Sequence, residues 1–322
     1  MNHIFVCQTP FQLMYAHRIV QCLLLNKQSH SKVIIIHANI SSKLDLDGVK
    51  YYNYLISGSL LLRAKHFLKC FNFIKQAIKK SPSNSTFYIS HIGGFYSNYI
   101  FYNKPKNVKL NLFYEGILSF YDYREPFNRA HFKRLMLSFL MCFKYIYTQK
   151  IFPYDSPKIS KIYTPFQQLS KGSEKKIKEV TFNKGNYFSE RSNGVLILGG
   201  PVSYLEQFYE TCVKNIINTY PEHTIYYKGH SSFDKENKKH KNLFEKVMKA
   251  KNLDFHELSI DQPIELLFFD LKIGEIHSYP SSSIVNLNAI DSSKRFYCYV
   301  NSSINKKIIS IFKTLNFNIE HL

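Results

Sequence analysis

Short apolar runs along the chain alternate with longer segments in which apolar residues recur every three or four positions. Short runs are typical of buried strands, and the longer periodicity is typical of amphipathic helices. In the first half the pattern predicts four strands, separated by helix-length segments such as 60–80. The predicted strands cover residues 3–7, 32–37, 86–90 and 108–114. This alternation indicates an open α/β sheet of parallel strands.

The pattern weakens after residue 148, where Lys, Ser, Pro and Gly accumulate and no long apolar period survives. It restarts with an apolar run at 194–198, followed by further predicted strands at 224–228 and 271–276. A length of 322 residues also favours two domains. We therefore expect two Rossmann-like domains facing a central cleft. The expected divisions are an N-terminal domain at 1–150, a linker at 151–193 and a C-terminal domain at 194–322.

The chain is strongly basic, with 43 Lys and Arg against 23 Asp and Glu and a formal net charge of +20. A field of that sign favours polyanionic partners, which include nucleic acids, anionic membranes and phosphorylated or carboxylated substrates. No zinc-finger spacing, RNP-like signature or helix-turn-helix is recognisable, which argues against nucleic acid. Basic surface residues that serve no partner remain an alternative explanation of the charge.

Several sequence features bear on the compartment. The six cysteines form no CxxC pair, which fits a reducing environment, and the N-terminus lacks the features of a secretory signal. The longest apolar run, 135–147, is too short to span a bilayer. Basic amphipathic patterns at 62–80 and 132–150 are typical either of helices on a membrane surface or of helices packed on the sheet. We expect a cytoplasmic protein.

Ligands of open α/β sheets bind outside the carboxyl ends of the strands. Four polar clusters follow predicted strands, at 8–12, 114–116, 228–232 and 278–283. In the second cluster, Glu115 would project from a strand end, where a partly desolvated carboxylate is a usable general base. A Glu-Gly pair is also common in turns, so the pair alone leaves both interpretations open.

The two clusters in the second half have groups that suit a phosphate. His230 ends a predicted strand between Lys228 and the hydroxyl of Ser231, and these groups can donate to phosphate oxygens. Three consecutive serines precede a helix-like segment and would either cap that helix or bind an anion at its N-terminus. These serines are Ser281, Ser282 and Ser283.

Taken together, these motifs resemble glycosyltransferase family 52, the bacterial lipooligosaccharide sialyltransferases. The matching segments follow in order along nearly the whole chain: 4–13, the Tyr-Glu-Gly at 114–116, the Gly-Gly-Pro at 199–201, the Lys-Gly-His at 228–230 and the serines at 281–283. The resemblance implies a GT-B-like fold and no required metal or other cofactor. Bacterial sialyltransferases of this and related families share an acidic-acidic-Gly motif and a His-Pro motif. Here these motifs read Tyr114-Glu115-Gly116 and His230-Ser231, so one acidic residue and the proline are missing.

The resemblance implies an inverting transfer of sialic acid from CMP-sialic acid to a terminal sugar, with galactose expected, of a lipooligosaccharide or another surface glycan. Glu115 would be the base, and Glu206 is a rival because family 52 enzymes can supply the base from this C-terminal region. His230, Ser282 and Ser283 would stabilise the charge on the departing CMP. The other expected donor-binding residues are Lys228, Gly200, Ser231 and Ser281, and the expected acceptor-binding residues are Thr9, Pro10 and Gln12.

A membrane-held glycolipid acceptor would place the protein peripherally on the inner face of the bacterial inner membrane, and a homodimer is also consistent with the resemblance. No Asp-x-Asp pair follows a predicted strand, since Asp45 and Asp47 are in a predicted loop, so we expect no metal site. Family 52 also contains α-glucosyltransferases, which leaves the donor open. Two further alternatives are a basic nucleic-acid-binding protein and a catalytically inactive module that binds nucleotide sugars.

Overall fold

The computed structural model describes residues 2–25, 32–38, 48–54, 59–80, 85–121, 123–182, 193–200, 203–219, 223–230, 234–259 and 262–322. The chain divides into two compact units, Met1–Thr181 and Phe182–Leu322. Asp45, Asp47, Pro201 and Ser231 lie outside the described residues.

The first unit is built on a seven-stranded parallel sheet with the order β3-β2-β1-β4-β5-β6-β7. Its strands are β1 (Asn2–Cys7), β2 (Lys32–Ala38), β3 (Val49–Tyr54), β4 (Ser85–Ile89), β5 (Lys109–Phe113), β6 (Lys161–Thr164) and β7 (Ile177–Glu179). Its α-helices are α1 (Pro10–Leu25), α2 (Leu60–Lys80), α3 (Phe95–Asn103) and α4 (Arg129–Leu140). The order reverses between β1 and β4, and such a switch point is where ligands bind in this architecture.

The apolar runs become the central strands because both faces of the sheet are covered. On one face, Ile4 and Val6 of β1 join a buried cluster with Phe71 and Ile74 of α2. On the other face, the ring of Phe5 stacks on Tyr88 of β4 at 4.0 Å between centroids. A strand that is buried on both sides has no polar alternation, which is why these segments are recognisable as continuous apolar runs.

The second unit has a six-stranded parallel sheet with the order β10-β9-β8-β11-β12-β13. Its strands are β8 (Gly194–Leu198), β9 (Thr224–Lys228), β10 (His256–Glu257), β11 (Ile273–Ser278), β12 (Arg295–Val300) and β13 (Asn318–His321). Its α-helices are α5 (Leu205–Thr219), α6 (Asp234–Lys249), α7 (Ile264–Leu267), α8 (Ser282–Ile290) and α9 (Lys306–Thr314). Six strands of each sheet thus follow the Rossmann order 3-2-1-4-5-6. The prediction of two Rossmann-like domains is confirmed.

The first unit extends further along the chain than the sequence pattern indicates. Residues 151–181, expected in a linker, contribute β6 and β7 to the first sheet, and the division falls after Thr181. These strands have only four and three residues. Strands so short leave too little periodicity to detect between prolines and glycines.

Among the helices that the structure describes, none has the length and apolar character needed to cross a membrane.

Candidate active site

At the switch point of the first unit, the segment that follows β1 contacts the segment that follows β4. A Cβ atom at Gly94, which precedes α3, would overlap the side-chain amide of Gln8. The backbone N–H of Gln8 donates to Oε1 of Gln12 at 2.6 Å, and the N–H of Gln12 donates to Oγ1 of Thr9 at 3.2 Å. The turn from β1 into α1 is therefore fixed by its own side chains.

This arrangement bears on the predicted acceptor-binding residues. The side chain of Gln12 is fully buried, so it does not contact an acceptor in this conformation. Thr9 caps α1, and Pro10 is the first residue of that helix, where a missing N–H costs nothing. All three residues belong to the strand-to-helix turn, and acceptor binding by Thr9, which is exposed, and by Pro10 stays a prediction.

Glu115 follows β5 at the carboxyl edge of the same sheet, as predicted. Gly116 has a φ of 148°, a conformation that side chains disfavour, and the backbone then enters a short 3₁₀ helix at Ile117–Phe120. The N–H of Glu115 donates to the hydroxyl of Ser119 at 3.3 Å. About a fifth of its side chain (22%) is exposed, although its Oε2 atom is buried.

His91, which follows β4, lies beside Glu115. Its Nε2 is 3.5 Å from Oε1 of Glu115, and its Nδ1 accepts the backbone N–H of Gly93 at 3.0 Å. Since Nδ1 is an acceptor, the proton of the neutral ring is on Nε2, directed at the carboxyl. In this arrangement Glu115 is the candidate base, and His91 is the second residue that can orient it.

Burial sets the protonation of this pair. Desolvation raises the pKa of Glu115 to about 8; the nearby charge of Glu125 adds to the increase, and the Ser90 hydroxyl acts against it. Desolvation lowers the pKa of His91 to about 4, opposed by Glu125 and reinforced by Arg134. Both groups are therefore mainly neutral at pH 7. A carboxyl whose pKa lies near the working pH is suited to proton transfer.

A second acid reaches the same place from a later loop. Oε2 of Glu125 lies 2.9 Å from where a Cβ of Gly93 would be, so a side chain at position 93 would displace it. Oε1 of Glu125 is 3.2 Å from Nε2 of His131 and 3.9 Å from the guanidinium of Arg134. The N–H of Glu125 donates to the Gln149 carbonyl at 2.9 Å, which anchors the loop.

His91 and Glu125 were not predicted from the sequence. His91 directly follows a strand that was predicted, in the run Ser-His-Ile-Gly-Gly, so the strand-end rule would have found it. Glu125 follows no strand, and only the fold brings it to the site. With Glu115 it provides two acids where the motif Tyr114-Glu115-Gly116 contains one.

The switch point of the second unit has the same construction as the first. Gly199 and Gly200 follow β8, and a Cβ at Gly200 would overlap the ring of Tyr279, which follows β11. A Cβ at Gly199 would lie 2.5 Å from the hydroxyl of Tyr227 and 2.6 Å from that of Tyr209. Aromatic packing therefore explains why glycines stand at both positions. The predicted contact of Gly200 with the nucleotide-sugar donor is not needed for that explanation.

Lys228 is the last residue of β9, and His230 lies two residues after it. Lys228 is buried, and its ammonium donates to the carbonyl of Ser259 at 2.7 Å. His230 is partly buried, and desolvation, followed by the charges of His240 and Lys228, lowers its pKa. The positive charge of Lys228, which disfavours an imidazolium here, would favour a bound anion.

The three serines lie at the start of α8, the helix that follows β11. The hydroxyl of Ser281 caps the helix by accepting the N–H of Ile284 at 3.4 Å, and it lies 3.3 Å from the Ser278 hydroxyl. Ser282 and Ser283 form the first turn, which is the end of a helix that attracts anions. Capping and anion binding are thus compatible at this helix.

A buried carboxyl that the sequence did not reveal lies next to α8. Glu265 of α7 accepts the side-chain amide of Asn286 at 2.9 Å, and desolvation raises its pKa while Lys228 lowers it. Glu206, the predicted rival base, is different. It lies in the first turn of α5, is largely exposed and is 3.9 Å from Nζ of Lys246, the geometry of a surface ion pair.

Several solved structures are similar in fold. The GT-B domain of a sialyltransferase from Photobacterium damselae aligns over 100% of both chains, with 11% identity and a TM-score of 0.53. A UDP-GlcNAc 2-epimerase from Methanocaldococcus jannaschii aligns over 100% of this chain and 89% of its own, with 12% identity and a TM-score of 0.53. The glycotransferase of kitacinnamycin aligns over 99% and 86%, with 9% identity and a TM-score of 0.54. The chain has a GT-B-like fold.

No protein-family model matches the chain, and neither does any curated protein. Membership of glycosyltransferase family 52 therefore stays a prediction from the motifs. The similar structures include transferases and an epimerase, so the GT-B-like fold does not select the reaction. The reaction has to be argued from the side chains at the strand ends.

Proposed function

We propose that this protein is an inverting glycosyltransferase that transfers sialic acid from CMP-sialic acid to a sugar hydroxyl without a metal ion. The observation that carries the proposal is Glu115, a carboxyl at the end of β5 with its pKa raised to about 8. Such a group is needed where an acceptor hydroxyl loses its proton, whereas a module that only binds nucleotide sugars has no use for it.

The reaction uses Glu115 in its ionised form. The carboxylate takes the proton of the acceptor hydroxyl, and the hydroxyl oxygen attacks the anomeric carbon of the sialyl group. The bond between that carbon and the phosphate oxygen breaks, and CMP leaves with the electron pair. The Nε2–H of His91 orients the carboxyl through Oε1. About a tenth of Glu115 is ionised at pH 7, so the rate should rise with pH up to about 8.

The donor is assigned to the second unit. The N-terminus of α8 and the side chain of His230 provide donors for the CMP phosphate, whose charge grows as the bond breaks. The net charge of +20 supports an anionic donor over a neutral one.

The acceptor proposed from the motifs is a galactose-terminated glycan of a surface glycolipid. The same residues would serve another nucleotide sugar, such as the donor of an α-glucosyltransferase, if the pocket around the donor sugar differs. The donor is therefore the decisive variable for the experiment.

The test is a donor screen that measures nucleotide release from CMP-sialic acid and from UDP-sugars, with and without a galactose-terminated acceptor. We expect release from CMP-sialic acid that depends on the acceptor and persists in EDTA. Release only from a UDP-sugar would change the donor and keep the reaction class. Binding of CMP without turnover on any acceptor, or activity lost in EDTA and restored by manganese, would contradict the proposal.

A further inference from the structure

Helix α4 carries an apolar stripe that faces away from the core. Its members recur at positions i, i+3, i+4, i+7 and i+8, the spacing of one helix side. They are Phe132, Leu135, Met136, Phe139 and Leu140, and all five are exposed. Phe139 and Leu140, at the end of the helix, are 80% and 73% exposed. The inner side of the helix has His131 and Ser138, which are buried, and Leu137, which is partly buried against the core.

The charges around the stripe are of one sign. Arg129 and Lys133 lie on the exposed part of α4, Lys144 follows the helix, and α4 contains no acidic residue. Arg134 is directed inward, 3.9 Å from Glu125. A solvated helix normally has a polar outer side, so five exposed apolar residues among basic ones require a partner.

Helix α2 has an exposed side of similar composition. The ring of Phe71 on α2 lies 5.5 Å from that of Phe143, just after α4, so the two helices pack on the same side of the first sheet. Helix α2 also exposes apolar residues, has exposed basic residues between them and contains no acidic residue. The exposed leucines are Leu61, Leu62 and Leu68, and the exposed lysines include Lys65, Lys69 and Lys79.

We propose that the exposed sides of α4 and α2 bind an anionic lipid bilayer, with Phe139 and Leu140 inserted among the headgroups and the lysines and arginines around them on lipid phosphates. This composition, apolar residues flanked by basic ones, is that of helices lying in the membrane interface. The inference does not depend on which sugar the protein transfers.

Charge decides between a membrane and a second copy of the chain. In a symmetric dimer through this surface each patch meets itself, so Arg129 and Lys133 would face the same cations of the other copy. No carboxylate on α2 or α4 compensates them. A bilayer with anionic headgroups provides both the opposite charge and an apolar interior at one surface.

The experiment is vesicle co-sedimentation of the full chain with phosphatidylglycerol-containing or purely zwitterionic vesicles, at low and high salt. The wild type should bind the anionic vesicles at low salt and be released at high salt, because headgroup attraction is screened within a Debye length. The double variant Phe139→Ser/Leu140→Ser should bind at least about tenfold more weakly. Its fold should be retained, since both side chains are largely exposed.

Matched controls test whether binding depends on this surface or only on the total number of exposed apolar and basic residues. Phe269→Ser removes an exposed apolar residue of the second unit, and Lys238→Gln/Lys239→Gln removes two exposed charges from α6. Both controls should bind like the wild type, whereas Arg129→Gln/Lys133→Gln should bind several-fold more weakly and with less salt dependence.

Three results would overturn the proposal. The first is wild-type protein that stays in the supernatant with anionic vesicles at low salt. The second is equal binding to zwitterionic vesicles. The third is a wild-type dimer, measured by light scattering, that Phe139→Ser/Leu140→Ser converts to a monomer without changing the vesicle binding; a second copy would then occupy the surface.

Discussion

The two switch points have the same backbone construction and different chemistry. In each unit a glycine after one central strand is covered by a side chain from the other, Gln8 on Gly94 in the first and Tyr279 on Gly200 in the second. Beyond these contacts, the first unit presents acids and imidazoles, whereas the second presents a lysine, a histidine and a serine-capped helix. The topology of the two units is thus equivalent, and the residues that follow the central strands differ in chemistry.

The protonation of the two sites follows from the same contrast. In the first unit, burial leaves Glu115 and His91 mainly neutral at pH 7, and a proton can be exchanged without a large change of net charge. In the second, desolvation lowers the pKa of His230, and the charge of Lys228 adds to the decrease, an effect that a bound phosphate would oppose. These differences agree with our proposal that proton transfer takes place in the first unit and anion binding in the second.

The largest expected effect is from removing the base. Glu115→Gln should lower kcat by about 10³–10⁴-fold, because the amide keeps the shape of the side chain and cannot accept the proton. The matched variant is Glu206→Gln, which removes the rival carboxylate of the second unit and should stay within about twofold of the wild type, since that residue forms a surface ion pair. The measurement is initial-rate kinetics; the reverse pattern would move the base to the second unit.

The pH dependence of unfolding tests whether Glu115→Gln acts at a buried carboxyl. The folded protein keeps the proton of Glu115 up to a pH of about 8, whereas the unfolded chain loses it near its ordinary value of 4.5. The folded state thus binds more protons between these values, and this group makes stability fall as pH rises through them. The melting temperature of Glu115→Gln should accordingly exceed that of the wild type at pH 8 and approach it at pH 5.

The fold was predictable where apolar runs were long, and the candidate site only where it followed those runs. The predicted strand 194–198 and helix 60–80 match β8 and α2, and Glu115 and His230 follow predicted strands. Glu125 could not be predicted from the sequence, because its position depends on contacts of its loop with Gln149 and α4. No local sequence pattern encodes these contacts.

Periodicity also does not tell which way an apolar stripe faces. The segment 132–150 was open to two interpretations, packing on the sheet or lying on a membrane. In the structure, Leu137 and Phe143 pack against the core beside the inward-facing His131 and Ser138, and the regular apolar stripe faces outward. The polar inner residues have partners there, since Nδ1 of His131 lies 3.0 Å from the Tyr145 hydroxyl and the Ser138 hydroxyl donates to Leu135 at 2.7 Å.

A smaller effect is expected in the second unit. His230→Ala should lower kcat by about 10²–10³-fold and weaken CMP binding only modestly, because the imidazole is assigned to charge that develops mainly in the transition state. His321→Ala, an exposed histidine of the same unit, is the matched control and should be silent. Kinetics combined with CMP titration separate the two effects. Near-wild-type turnover of His230→Ala would leave the imidazole a structural role.

The smallest effect concerns the second acid of the first unit. Glu125→Gln should move the acidic limb of the kcat/KM profile to lower pH by about one unit, because removal of a like charge lowers the pKa of Glu115. The groups facing Glu125 act in the same direction: His131 and Arg134 lie within 4 Å of it, and the guanidinium stays in place in the variant. Tyr123 and Tyr145, whose pKa values Glu125 also raises, should stay neutral throughout.

The shape of the pH profile separates an electrostatic role of Glu125 from a structural one. A residue that only anchors its loop would, when replaced, lower kcat/KM by the same factor at every pH and leave the midpoint unchanged. Glu174→Gln removes one exposed negative charge from the same unit and controls for net charge. A midpoint that moves in Glu125→Gln and not in Glu174→Gln would mean that two separated acids of the first unit act together, as two adjacent acids do in the motif that Tyr114-Glu115-Gly116 only half matches.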